Sequence, residues 1–328
     1  MSMTAEEFKN NLKGVVPVQL CPYTREGEVD IEGIKENTKF IVDFAKDGNK
    51  DVVLFTNGNT TEFYANSVEE QKNIIKTVVD TVGGVIPVIT GVSQASARLT
   101  IEMAKYAEEV GADCAILLPP YVHTASKEGV YQYYKIVAES VNIGIMLYSH
   151  PGFGGTMLPP DLIARLAKIE NIVAFKDCTL NVADYAFNSL IDPEDMILIN
   201  GNAEISYVGS AAYGVKYRGF ASAPIANFAP RLSYDIYEAV EAENFKKAYE
   251  ALKKILPLEN FIAKVTSSRQ PIPGWVSVSN MYISIGKTAM NLVGLRGGTY
   301  NREQLPSEEL TDEEKKELKG VLKEMGVI

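Results

Sequence analysis

Short apolar, β-branched runs recur along the chain, and the stretches between them bring apolar residues back at helical spacing. The runs begin near Val15 (VVPVQL), Val52 (VVLF), Val85 (VIPVIT), Cys114 (CAILL), Ile143 (IGIMLY), Ile172 (IVAFK), Met196 (MILIN) and Val215 (VKYRGFA). The starts at 114, 143 and 172 are evenly spaced, at an interval that fits one strand, one helix and their turns. Between runs, Ile34, Thr38, Ile41, Val42 and Ala45 share one helical face, as do Ile101, Ala104 and Ala107. Eight strand and helix alternations predict an α/β fold, a (β/α)8 TIM barrel whose active residues stand at the C-terminal strand ends. A doubly wound open sheet competes with it. No GxGxxG follows the first run, and Gly152-Phe153-Gly154-Gly155 comes only after the fifth. Beyond Pro230 the strand signal stops, and Arg231–Leu256, Val276–Leu292 and Thr311–Met325 read as helices, the last opening on a Thr311-Asp312-Glu313-Glu314 cap. The expected division is a barrel over residues 1–230 and a helical appendage over 231–328.

Composition narrows the partners. With 328 residues, 46% of them apolar, the chain can bury a large core. A net charge of −10 argues against nucleic acid, which wants a basic face. No apolar stretch approaches the ~20 residues of a membrane span, and the polar start from Met1 to Lys13 lacks the apolar core of a signal peptide. Three cysteines without CxxC spacing suit a reducing cytoplasm, and Cys114 and Cys178 read as small buried hydrophobes. With His123 and His150 as the two histidines and no HExxH, neither a metal nor a cofactor is expected.

One residue carries the chemistry. Lys176 ends the apolar run Ile172-Val173-Ala174-Phe175-Lys176-Asp177, which would deliver an ammonium into a closed interior. Burial disfavours the charged form and leaves an amine able to attack a carbonyl carbon; the bland alternative is a lysine that snorkels to solvent. The second run ends in Thr56-Asn57-Gly58-Asn59-Thr60-Thr61-Glu62, a polar turn whose hydroxyl and N–H groups suit a carboxylate. The fifth ends in Tyr148-Ser149-His150-Pro151-Gly152, and in a barrel Tyr148 would face Lys176.

Together these segments resemble the dihydrodipicolinate synthase and N-acetylneuraminate lyase family of pyruvate-type class I aldolases and dehydratases. The likeness runs from Gly14-Val15-Val16-Pro17 to Leu292-Val293-Gly294-Leu295. It is most specific at Tyr148-x-x-Pro151-Gly152 and Asn171 through Asp177, and Gly58-x-Thr60-x-Glu62, Pro119-Pro120-Tyr121, Gly201-Asn202 and Gly219-Phe220-Ala221-Ser222 keep the family order. The resemblance implies that Lys176 forms the Schiff base, that Tyr148 relays protons, and that Thr60 holds the carboxylate of a 2-oxo acid. Asn59, Thr61, Tyr121, His150, Gly201, Asn202 and Ser222 are the expected substrate-binding residues, with His150 alternatively a hydrogen-bonded loop residue. A homo-oligomer, dimer or tetramer, is implied as well.

Departures bear on substrate. Synthases that make dihydrodipicolinate carry Thr-Thr where this chain has Asn59-Thr60, a relay tyrosine where it has Val122, and a carboxylate-clamping arginine where it has Phe153. Leu117–Val122, Ala125–Val130 and the stretch from Ala211 to Pro230 look like the ketodeoxyglucarate dehydratase branch instead. The expected function is therefore a Schiff-base lyase, a dehydratase or aldolase of a deoxy-keto sugar acid. The alternatives are 4-hydroxy-tetrahydrodipicolinate (dihydrodipicolinate) synthase and a non-catalytic sensor of keto acids.

Overall fold

The computed structural model describes residues 2–123, 125–150, 157–179, 182–269, 281–299 and 309–328. Eight parallel strands form its centre: β1 (Gly14–Pro17), β2 (Leu54–Thr56), β3 (Val88–Gly91), β4 (Cys114–Leu117), β5 (Gly144–Ser149), β6 (Ile172–Asp177), β7 (Ile197–Asn200) and β8 (Gly219–Ser222). They pair in the order β1-β8-β7-β6-β5-β4-β3-β2. Parallel bridges Val15↔Val52 and Val18↔Phe55 join the two ends, so the sheet closes into the expected TIM barrel. The doubly wound alternative is excluded by that closure. The last strand starts at Gly219 rather than Val215, and in its lead-in Tyr217 donates its hydroxyl to Asp177.

Alternation of side chains sorts the core into layers. Val16, Val53, Phe55, Ile116, Met146, Tyr148 and Ile199 share the cluster inside the barrel. Ala115, Leu117, Ile145, Leu147, Phe175 and Phe220 face outward into the layer beneath the helices. Helix α1 (Ala5–Asn11) packs on β5 and β6 and sends Phe8, fully buried, into the inner cluster. Helices α2 (Ile31–Lys46), α3 (Val68–Val82), α4 (Ala97–Val110), α5 (Lys127–Ala138), α6 (Pro160–Leu166), α7 (Val182–Asn188) and α8 (Ala203–Ala212) follow strands 1 to 7.

The long helix expected over Arg231–Leu256 is two helices, α9 (Pro230–Glu241) and α10 (Phe245–Ser268). Glu243 takes a left-handed φ of 53° at the break, and the Asn244 side chain caps α10 by accepting from the Lys247 N–H. Helix α9 completes the ring about the barrel. Its Tyr234 ring stands edge-on to Phe44 of α2, and the Tyr234 hydroxyl accepts from the backbone N–H of Asp51. The boundary expected after residue 230 thus falls in front of a helix that the barrel uses. The C-terminal helices are α10, α11 (Met281–Leu292) and α12 (Asp312–Glu324), the last opened by a capping box between Thr311 and Glu314. The expected start of α11 at Val276 lies outside the described residues. No helix among the described residues is long and apolar enough to cross a membrane.

Candidate active site

A bulge in β6 aims the key lysine. Ile145 pairs with Ile172, yet Met146 pairs with Ala174, so Val173 is an extra residue and the side-chain phase flips. Val173 and Ala174 both face the interior, Phe175 faces out, and Lys176 turns inward in register with Tyr148. Without the extra residue the period-2 alternation from Val173 would point Lys176 outward. Asp177 faces the other way, where it accepts hydrogen bonds from Asn188, Tyr217 and the Thr179 N–H.

Lys176 is 6% exposed, with its Nζ 4.1 Å from the centroid of the Tyr148 ring and 5.6 Å from that of Phe55. Burial lowers its pKa, and so favours the free amine. The Tyr148 phenol is pushed well above its ordinary range, first by burial and then by the neighbouring Cys178 and Tyr282. Tyr134 of α5 reaches the strand ends here: its hydroxyl donates to the Leu117 carbonyl. His150 stands edge-on to Tyr148 at 5.8 Å, and burial, helped by Lys176, lowers its pKa to about 4. It is a neutral imidazole at neutral pH.

These groups face a cavity of about 300 Å³, whose lining also includes Asn59, Thr60, Asn202 and Tyr282. Asn59 donates its amide to the Tyr282 hydroxyl at 3.3 Å, while its Oδ1 is buried with no hydrogen-bond partner among the described residues. Asn202 donates to the Thr179 carbonyl. Gly201, on the wall, lets the chain pass Cys178: a Cβ there would sit 2.2 Å from the Sγ. A larger cavity of about 740 Å³ lies along α11, lined by Arg25, Asn291 and Lys315 among others. In the smaller one a desolvated amine adjoins a phenol.

Of the residues singled out in the sequence, Lys176, Tyr148, Thr60, Asn59, His150, Gly201 and Asn202 line this cavity together. Thr61, Tyr121 and Ser222 are not in its lining. The Thr61 hydroxyl donates to the Gln19 carbonyl and accepts from the Gly58 N–H, so it holds the turn rather than facing a ligand. Tyr121 packs edge-on against Phe63. Ser222 falls on the outward face of β8 because Ala221 and Ala223 take the inward positions, and its hydroxyl donates to Glu204 of α8 at 2.6 Å. Val122 is 59% exposed, and Phe153 lies outside the described residues.

Sequence reasoning missed Tyr282, which α11 brings to the cavity. It also missed the ion pair between Glu62, on the turn that carries Asn59 and Thr60, and Lys287 of α11; both side chains are buried. Glu62 stood in the recognised motif, but nothing in the sequence pairs it with Lys287. Among the described residues no cluster of three or more His, Cys, Asp or Glu could hold a metal.

Comparison with known proteins places these features in context. The model of the Dihydrodipicolinate synthetase family matches residues 11–325. Among curated relatives, the 4-hydroxy-tetrahydrodipicolinate synthase of Archaeoglobus fulgidus is 31% identical over 96% of this chain and 99% of its own. That of Methanocaldococcus jannaschii is 32% identical over 96% of this chain and 99% of its own. The crystal structure of dihydrodipicolinate synthase from Aquifex aeolicus superposes with a TM-score of 0.81 at 26% identity, covering 96% of this chain and 99% of that one.

Proposed function

The chain belongs to the dihydrodipicolinate synthetase family and is a Schiff-base-forming lyase of that family, and within it we propose that Lys176 is the imine-forming residue and Tyr148 its proton carrier. The observation that carries this reading is the desolvated amine 4.1 Å from the Tyr148 ring centroid in a cavity of about 300 Å³. The Lys176 amine adds to the C2 carbonyl of a 2-oxo acid, and the carbinolamine expels water when a proton reaches its oxygen. Tyr148 supplies that proton. The cationic imine then draws the electron pair of a breaking bond at C3 towards nitrogen, which gives the enamine. Thr60 and the N–H groups of its turn hold the substrate carboxylate. An amine and phenol so placed serve turnover, which a keto-acid sensor would not need.

For the substrate we propose a deoxy-keto sugar acid, processed by dehydration or aldol cleavage. Its hydroxyls would pair with Asn59, whose buried Oδ1 lacks a donor, and with Asn202, Tyr282 and neutral His150. Among the described residues lining the cavity, Lys176 is the sole ammonium or guanidinium, so a second carboxylate would meet no fixed cation. The second reading is dihydrodipicolinate synthesis. It is favoured by the comparisons, since the relatives at 31% and 32% identity carry the synthase name.

The test has two arms. Incubation with pyruvate and borohydride should leave an added mass on Lys176 that K176A lacks; a label on another lysine, or none, would refute the mechanism. Turnover of 2-keto-3-deoxy sugar acids is then compared by NMR with condensation of pyruvate and aspartate semialdehyde. Efficient dihydrodipicolinate formation without turnover of any sugar acid selects the second reading.

A further inference from the structure

The cavity of about 740 Å³ along α11 shares no described lining residue with the catalytic one, and its volume falls in the range of about 300–1,000 Å³ that holds small-molecule ligands. Its wall contains a buried hydroxyl that the fold does not use. Ser284 is 6% exposed, and its Oγ makes no hydrogen bond among the described residues. The polar side chains around it are engaged: Thr288 donates to the Ser284 carbonyl, Thr299 to the Thr24 carbonyl, and Asn291 spans the Gly298 carbonyl and the Gly297 N–H. Buried polar atoms in native folds are nearly always met, so the Ser284 hydroxyl marks a place where a polar atom of a ligand fits.

Charge sets the class of that ligand. Arg25, in the segment between β1 and α2, is exposed and makes no ion pair among the described residues, and Lys315 of α12 reaches only Asp312, itself 98% exposed, at 3.8 Å. With Lys287 these cations outnumber Glu309, the carboxylate among the described lining residues. A guanidinium and ammonium groups around one cavity suit carboxylates, and half-buried Leu292 with buried Leu310 offers contact to a short carbon skeleton. We propose that this cavity is a regulatory site for a small organic di- or tricarboxylate. Helix α11 is the route to the catalytic cavity: Ser284, Lys287 and Thr288 line the regulatory one, while the same helix brings Tyr282 to the catalytic wall and pairs Lys287 with Glu62 on the turn of Asn59 and Thr60. An anion held on this wall draws on the Lys287 ammonium, weakens its hold on Glu62 and loosens the turn that receives the substrate carboxylate, so occupation lowers the affinity for a 2-oxo acid. Binding rests on the cavity alone; the coupling rests on the Schiff-base reading above.

The test titrates citrate, succinate and inorganic phosphate into the full-length protein by calorimetry. Citrate or succinate should bind at one equivalent per chain with a Kd of about 1 mM or tighter. R25A and K315A should each weaken that binding roughly tenfold, the loss expected for one charge-paired hydrogen bond, and S284A roughly fivefold. All three variants should still form the borohydride adduct on Lys176, since none of these residues lines the catalytic cavity. The bound carboxylate should raise the pyruvate concentration for half-maximal adduct formation about fivefold, at the low end of usual coupling between sites, and R25A/K315A should abolish that shift. Failure of both carboxylates to bind, binding undiminished in R25A/K315A, phosphate held as tightly as citrate, or a pyruvate dependence that does not move would each overturn the regulatory site. A shift that persists in R25A/K315A would place the carboxylate in the catalytic cavity and overturn it as well. Absence of any adduct on Lys176 without added carboxylate would overturn the Schiff-base reading instead, and the calorimetry would still decide the site.

Discussion

Removing one end of the Glu62–Lys287 pair should damage stability and the substrate turn together. Glu62 is fully buried and Lys287 is 3% exposed, with the Lys287 ammonium also 4.3 Å from the Tyr23 ring centroid. The pair ties the turn after β2 to α11, two segments that each contribute to the cavity wall. Breaking a buried ion pair on one side costs about 3–5 kcal/mol, because the remaining charge is left desolvated. Against a total stability of about 5–15 kcal/mol this is a large fraction. K287M removes the ammonium that faces the buried Glu62 carboxylate and should carry the larger cost. E62Q should cost less, since the Tyr23 ring still faces the ammonium and such contacts contribute about 0.5–2 kcal/mol. E62Q/K287M removes both charges and should be more stable than the sum of the single losses predicts. Urea unfolding followed by far-UV circular dichroism measures all three variants, and the pyruvate dependence of adduct formation should weaken in K287M as the Asn59–Thr60 turn loosens. Losses under 1 kcal/mol in both single variants, or strict additivity in the double, would refute the reasoning.

Two further outcomes follow from the same physics. Y148F should fold yet lose about 10²–10⁴ in turnover, the usual worth of general acid–base help; near-wild-type kinetics would remove Tyr148 from the mechanism. Glu259 of α10 is pushed up to about 7 by burial and by neighbouring Glu204. A carboxyl whose folded pKa is raised above its unfolded value of about 4.5 contributes stability that is complete below that value and is lost as pH rises through about 7. E259Q should therefore gain relative to wild type on going from pH 5 to pH 8, by roughly 1–3 kcal/mol, and an unchanged difference between the two pH values in urea melts would count against it.

The sequence carried the barrel because strand and helix periods differ, and the alternation of the two repeats along the chain. It carried Lys176 and Tyr148 for a related reason: a lysine ending a fully apolar run, and a tyrosine ending the run before it, stand out against their neighbours. The break between α9 and α10 is not legible along the chain because the two share a helical period, and what seats α9 beside α2 is a contact with Phe44 and Asp51 far away in the chain. Ser222 and Thr61 were taken for wall residues because a polar side chain at a strand end looks alike whether it faces in or out.

What the sequence determined by itself was local: which stretches are strands, which are helices, and which residues at the strand ends could do chemistry. Tertiary structure alone decided facing and partnership. The extra residue at Val173 reverses the phase of β6 and so turns Lys176 inward, yet a bulge is defined by the register of β6 against β5 and has no signature within β6. Tyr282 and the Glu62–Lys287 pair reach the site from a helix more than two hundred residues from the turn they meet. Such contacts are fixed by packing α11 across the barrel mouth, where Gly286 lets the helix lie against Leu20 and Pro224. Periodicity records which way a side chain points from its own backbone; only the closed barrel determines what it meets there.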